Sequence, residues 1–491
     1  MIISPRELFE HADSLLRKGF RVALIAGHHD VESGGDRLRA VYLFTAEPDQ
    51  RVELHVPLDR DSPAVPSLAA LSFPAGRFER EMRDLFGIVP AGHPLPRRLV
   101  RHFHWPQGWY PMLADAGEPP SFGDVDGPYP FRAVEGPGVY EIPVGPVHAG
   151  MIGPGHFRFS VVGETILNLK ARLWFVHRGI EKLFQGRRPE QAIELAERVS
   201  GDTSVGHTLA FCQAVEDAYR ITVPPDALRI RGILLELERI YNHVADLGAL
   251  CNDVGYGILN AHAGRVREQL LRINDQVTGH RLLRGAITPG GARVAELPDP
   301  GRLAAIGADV AEIVALARAN TVVADRFTGT AVLSREQAVD LGALGYVARA
   351  SGHDVDARRE HPSLPESVPR TEHTRTDGDV LSRFLVRAEE ITHSIGLITR
   401  LVQTTNSPAD TAAPLETTGA VSSGTGIVEG WRGTIVHRIE LAADGALTRV
   451  KIVDPSFFNW PALPVALVDT IVPDFPLTNK SFNLSYAGND L

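Results

Sequence analysis

The chain has 491 residues, 44% of them hydrophobic and 22% charged, with a formal net charge of -10. That length exceeds one ordinary core and implies two domains with a connector, and the composition is that of a folded chain, which excludes general disorder. The acidic balance excludes a general nucleic-acid binder, and two cysteines without a Cys-x-x-Cys pair, Cys212 and Cys251, exclude a thiolate-rich zinc or iron–sulfur site.

The chain opens with Met1-Ile2-Ile3-Ser4-Pro5-Arg6-Glu7, which lacks the basic, apolar, small-residue order of a secretory signal. It reads as a capped helix: Ser4 accepts a backbone N–H, Pro5 suits the first turn and Glu7 completes a capping box. Residues 20–26, 39–46 and 51–57 are rich in β-branched and aromatic side chains, with turns at Gly34-Gly35-Asp36 and Glu47-Pro48-Asp49, and predict strands. A helix over 76–86 ends at Gly87, and the first unit, an α+β domain, spans 1–105. Pro and Gly crowd the connector over 106–145.

The remainder, 146–491, is mainly helical, so the fold class is α+β overall. Apolar residues recur at three- and four-residue spacing over 189–220, 226–250, 261–283, 301–324 and 379–403. In the second of these, Ile233, Leu234, Leu237, Ile240, Tyr241, Val244 and Leu247 form a core stripe. Cys212 is a small buried hydrophobe. Residues 404–426 read as a loop and 433–453 as a β-rich piece. Charges interrupt the most apolar stretch, 303–323, so it cannot lie in lipid. Gly424-Thr425-Gly426 lacks the third glycine of a nicotinamide fingerprint, and no lysine follows a Gly-rich loop.

Two sets of motifs carry chemistry. The first is Glu79-Arg80-Glu81, Asp84-Leu85-Phe86-Gly87-Ile88, Gly92-His93-Pro94 and Arg97-Arg98-Leu99. It resembles the small hydrophilic, 30 kDa-type subunit of respiratory complex I, and these residues are expected to be structural and partner-contacting. The second runs from Gly145-Pro146-Val147-His148-Ala149-Gly150 through Gly155-His156-Phe157-Arg158-Phe159, His177-Arg178-Gly179-Ile180-Glu181-Lys182, Glu197-Arg198, His207 and Asn242-His243 to Asp356 and Arg358-Arg359. It resembles the quinone-site, 49 kDa-type subunit of complex I and, more closely, the large subunits of energy-converting membrane-bound NiFe hydrogenases such as formate hydrogenlyase. The fused arrangement is typical of the formate hydrogenlyase branch.

The resemblance implies four cysteine ligands to nickel and iron, and their positions fall on Ser200, Thr203, Ser456 and Asn459. Hydroxyl and amide groups are hard and neutral where such metals take soft thiolates, so no metal is expected here. The resemblance puts Ala462 at the position of the C-terminal processing residue, and no metal-triggered cleavage of the tail that runs to Leu491 is expected. The resemblance casts His177 as the histidine that hydrogen-bonds a quinone, but the tyrosine facing it in complex I falls on Gly201, and His177 also serves as an anchor in relatives without quinone. His207 is a further cofactor-side residue. Arg432, after Trp431 in place of the usual proline, matches the arginine over the metal's diatomic ligands, and a cation left in an emptied site needs a carboxylate, for which Asp202 and Glu197 are the candidates.

No cofactor is expected in this chain; the resemblance implies Fe–S clusters in partner subunits and quinone as an acceptor. The implied partners are an Fe–S small subunit, a ferredoxin-like Fe–S subunit and antiporter-like membrane subunits, with the chain peripheral on the cytoplasmic side of the membrane. Two functions follow. One is an oxidoreductase subunit that passes electrons from the neighbouring Fe–S subunit toward quinone or another small acceptor, with His177 and Arg432 facing it. The other is a scaffold and coupling subunit without a substrate; a working hydrogenase or formate hydrogenlyase subunit is disfavoured by the missing cysteines. A head-group-sized cavity lined by His177 distinguishes the first, and a site filled by side chains such as Trp431, Phe457 and Trp460 the second.

Overall fold

The computed structural model describes residues 1–31, 36–123, 127, 129–148, 152–365, 374–406 and 419–491. The predicted turn at Gly34-Gly35, the Ala149-Gly150 part of the second motif and residues 407–418 of the predicted loop lie outside the described residues. At the start of the chain, Glu7 accepts the Ser4 N–H at 2.8 Å, leading into α1 (Leu8–Arg17). Three strands, β1 (Arg21–Asp30), β2 (Arg37–Ala46) and β3 (Gln50–Leu58), pair antiparallel in that order. Helix α2 (Phe73–Phe86) packs on β1 and stops at Gly87, whose φ of +78° is cheap only for glycine.

A second three-stranded sheet follows, with β4 (Val139–Val144), β5 (His156–Val162) and β6 (Thr165–Arg172) in order. Its first strand falls inside the stretch expected as connector. Pro143 hid it, because proline argues against a central strand; β4 is an edge strand, where proline is tolerated.

The predicted helix over 189–220 is two helices, α3 (Pro189–Ala196) and α4 (Ser204–Tyr219), and the break between them carries Glu197, Ser200, Asp202 and Thr203. Beyond it come α5 (Pro225–Asp253), α6 (Gly257–Thr278), α7 (Pro300–Ala319) and α8 (Val380–Thr404). Helix α7 ends early because the Asn320 side chain accepts the Val322 and Val323 N–H groups at 3.0 and 3.1 Å, starting a new helix. The apolar stripe of α5 is buried, and so are Arg239 and His243 on another face, so this helix is buried all round.

The last sheet, β7 (Ser422–Gly430), β8 (Gly433–Leu441) and β9 (Leu447–Val453), lies between the helices and the N-terminal sheet. Arg438 of β8 forks onto Glu53 of β3 at 2.7 and 2.8 Å, and Lys451 of β9 meets Glu81 of α2 at 2.8 Å. The Phe78 and Phe457 rings stack at 4.5 Å. These paired charges and rings fix the two halves of the chain against each other. Among the described residues no helix is long and apolar enough to cross a membrane.

Candidate functional site: a hydrogen-bonded junction

Three backbone features converge on one point: the break between α3 and α4, the two-residue hairpin Trp431-Arg432 joining β7 to β8, and the short helix α9 (Pro455–Asn459). Each is held from outside. Glu238 of α5 accepts the Val205 and Gly206 N–H groups at 2.7 and 3.0 Å, capping α4. Arg239 donates to the carbonyls of Glu429 and Gly430 at 2.7 and 3.1 Å and so fixes the hairpin. Behind it, Arg349 bridges Glu390 at 2.6 Å and Glu429 at 3.0 Å, and His243 lies 2.9 Å from Glu390. Asp454 caps α9 through the Ser456 N–H at 2.7 Å.

At the point of convergence the Arg432 guanidinium grips Asp202 with two bonds of 2.7 Å, a fork that suits a carboxylate. Partial burial pushes the Asp202 carboxyl up, but Arg432 outweighs it and, with Thr203 and Ser200 donating at 3.0 Å, holds it down at about 2. Glu197 takes no part: it accepts the Gly285 N–H at 2.5 Å, which removes it as a partner for Arg432. Trp431 donates its indole N–H to the Asp202 carbonyl at 3.0 Å and lies under the Arg432 guanidinium at 3.9 Å.

Asp202→Asn is therefore expected to cost about 2 kcal/mol, because it strands a buried guanidinium; the full buried-pair loss is not reached, since the Asp202 side chain keeps 42% of its exposure. The folded carboxyl titrates below the ordinary 3.8, so the contribution is intact above that pH and is lost as pH falls toward 2. Denaturant unfolding of both proteins at pH 7 and near pH 3 checks this: the gap between them narrows in acid.

The C-terminal segment, residues 483–491, completes the junction. Ser485 sits between two of the positions expected to be empty: its hydroxyl lies 2.8 Å from Ser200 Oγ, and its N–H donates to Ser456 Oγ at 2.9 Å. Its carbonyl accepts the Trp460 indole N–H at 3.2 Å, and the Asn483 carbonyl accepts Arg432 Nε–H at 2.6 Å. Asn459 turns away, making paired bonds of 2.8 and 3.1 Å with the Leu344 backbone. Ser200, Thr203, Ser456 and Asn459 are thus buried hydroxyl and amide groups already engaged in hydrogen bonds, a poor match to the thiolates that hold nickel and iron.

His207 is buried between Asp454 and His437, with its two ring nitrogens 3.0 Å from each. His177 is not brought into the cluster. Its Nδ1–H donates to the Asp490 carbonyl at 2.7 Å, and the hollow beside it, bounded by Glu81, Met112 and Leu491, measures about 40 Å³. The residues missed from sequence, Glu238, Asn483 and Ser485, give no local signal, because each acts on a partner far along the chain.

Matches to known proteins agree with this architecture. Residues 1–119 match the family described as respiratory-chain NADH dehydrogenase, 30 Kd subunit, and residues 253–417 its 49 Kd subunit; residues 178–251 match nickel-dependent hydrogenase. Hydrogenase-4 component G of Escherichia coli (strain K12) is 34% identical over 88% of this chain and 77% of its own length. Formate hydrogenlyase subunit 5 of the same strain is 32% identical over 96% of this chain and 85% of its own. The chain belongs to the family of fused complex I 30 kDa and 49 kDa subunits. The C/D component of the NADH-quinone oxidoreductase of Phocaeicola vulgatus, 29% identical over 81% of each chain, is a fused protein too. Members of this fused family are parts of multi-subunit oxidoreductases. The structure of an archaeal membrane-bound sulfane sulfur reductase overlays the fused subunit with a TM-score of 0.66 over 72% of it and 98% of that chain, at 22% identity, which speaks to fold alone.

Proposed function

We propose that this fused subunit has no nickel–iron centre and serves as a scaffold and coupling element in a complex-I-like membrane oxidoreductase. The observation that carries the reading is Ser485, seated between Ser200 and Ser456 with both bonds made. Ser485 occupies the space between those hydroxyls, and a carboxylate–guanidinium pair joined to the same segment ties the α4 turn, the hairpin and the chain end into one unit. Such a unit passes on a shift in any of its parts, because a closely packed junction moves as a body.

In this reading the redox work belongs to partners: an Fe–S small subunit against the junction, a ferredoxin-like Fe–S subunit, and antiporter-like membrane subunits below, with the chain on the cytoplasmic face. Electron passage to quinone beside His177 draws its support from the resemblance. Against it stand the tie of Nδ1 to Asp490 and a hollow of about 40 Å³, room for water and not for a quinone ring.

The test is quinone reduction by the assembled complex carrying His177→Ala. The scaffold reading expects the rate to hold within about twofold, whereas a tenfold fall in a fully assembled complex, about 1.4 kcal/mol of lost transition-state stabilisation, would establish the quinone reading.

A further inference from the structure

Among the described residues around the first motif, Arg80, Arg83, Arg97 and Arg172 donate to backbone carbonyls. Arg172 of β6 is buried and donates to the carbonyls of Leu99 and Arg101. Arg80 of α2 reaches the carbonyls of Arg97 and Arg98, both at 2.8 Å. Arg97 donates to Pro130 O at 3.1 Å and Arg83 to Pro96 O. A carbonyl dipole orients a guanidinium without neutralising it. Asp84, the carboxylate beside them, spends one oxygen on the N–H groups of Leu99, Val100 and Arg101 at 2.8, 2.9 and 3.2 Å. Burial lowers Arg80 to about 10 and repulsion from Arg97 adds to it; burial lowers Lys170 too, with Arg97 again contributing.

Arg83, Arg97 and Arg172 face a cavity of about 680 Å³, within the size range of small-ligand sites, whose wall also carries Tyr129 and Phe131. Apolar side chains that reach solvent lie in or beside this wall. Phe103 and Phe175 in the wall are each 38% exposed, and Val147, next to Pro146 in the wall, is 87% exposed. Arginines beside exposed apolar side chains fit a ligand with an anionic head and an apolar body.

We infer that this cavity binds the phosphate group of an amphiphile, with Arg83, Arg97 and Arg172 on the phosphate oxygens and the apolar body across Phe103, Phe175 and Val147. The shared chemistry is a phosphate ester, and its source is either an anionic lipid head or a soluble phosphate compound. This site is independent of the junction at Ser485 and of its proposed role.

The experiment is co-sedimentation of the full chain with vesicles of phosphatidylcholine alone and of phosphatidylcholine mixed with phosphatidylglycerol, with and without inorganic phosphate. At a net charge of -10 the protein as a whole is repelled by an anionic surface, so retention on it reports a local site. Retention confined to the phosphatidylglycerol vesicles, and lowered at least about tenfold in the Arg83→Gln, Arg97→Gln double variant at unchanged melting temperature, is the expected result. Displacement by inorganic phosphate assigns the source to soluble phosphate compounds; its absence assigns it to the lipid. Equal retention on phosphatidylcholine, no retention with no phosphate binding by calorimetry, or retention unmoved by the double variant while Arg272→Gln reduces it, overturns the proposal.

Discussion

Deleting residues 483–491 is expected to leave a protein that no longer accumulates as a folded chain. Leu484 and Leu491 are 5% and 6% exposed, and exposing the space of each costs about 1.5–3 kcal/mol. The deletion also strips partners from Ser200, Ser456, Trp460, Arg432 and His177, all of which bond to this segment. Each buried polar group left unpaired adds about 1–3 kcal/mol. The total is on the order of 10 kcal/mol or more, comparable to the whole stability of a typical domain. Ser485→Ala isolates the centre of this effect. It removes the bonds to Ser200 and to the Gly488 N–H and keeps the two backbone ones, for an expected loss of about 1–2 kcal/mol. Soluble expression followed by denaturant unfolding checks both, and a truncated chain as stable as the full one would mean that the segment merely rests against the site.

The second large effect lies at Gly426. A Cβ placed there would stand 1.9 Å from the Ala210 carbonyl oxygen and 2.9 Å from the Ala214 nitrogen, both backbone atoms of α4. Backbone cannot swing aside, so Gly426→Ala must part β7 from α4, breaking the bonds from the Thr425 N–H to Asp217 at 2.9 Å and from the Ile427 N–H to Gln213 at 3.2 Å. A loss of about 3 kcal/mol or more is expected, at the upper end for overpacking. Thermal unfolding measures it, and a change within about 0.5 kcal/mol, the range of ordinary surface substitutions, would contradict the close approach.

Gly426 also shows where sequence reading stops. Gly424-Thr425-Gly426 follows a Gly/Ser/Thr-rich run and reads as loop, because glycine carries no strand propensity. In the fold it is strand β7, and its glycines exist so that a sheet can touch a helix backbone, a requirement set by a partner more than 200 residues earlier. The same applies to Ser485. By contrast, the N-terminal strands, the end of α2 at Gly87 and the buried stripe of α5 were legible, because period, branching and turn chemistry are local. For the site, the resemblance to hydrogenase large subunits put Ser200, Asp202, Thr203, Ser456 and Arg432 in one neighbourhood, where the fold brings them together. It did not decide between Asp202 and Glu197 as the partner of Arg432, since both precede α4 and only the fold of the 197–203 turn aims one at the guanidinium.

The buried charges behind the hairpin hold it in place from outside the junction. Arg349 and Arg239 both meet Glu390, at 2.6 and 3.5 Å, Arg349 also meets Glu429 at 3.0 Å, and His243 lies 2.9 Å from Glu390. Removing Glu390 leaves buried guanidinium charge uncompensated, so these pairs hold the backbone around the junction.

Hydroxyls and an amide already bonded to Asp202, to the chain end and to nearby backbone cannot hold the nickel–iron pair that cysteine sulfur holds. Elemental analysis of this chain, isolated in its complex from cells supplied with nickel, tests it most directly. The account predicts nickel at background in this polypeptide, with iron only in proportion to the Fe–S partners; nickel at about one atom per chain would contradict it.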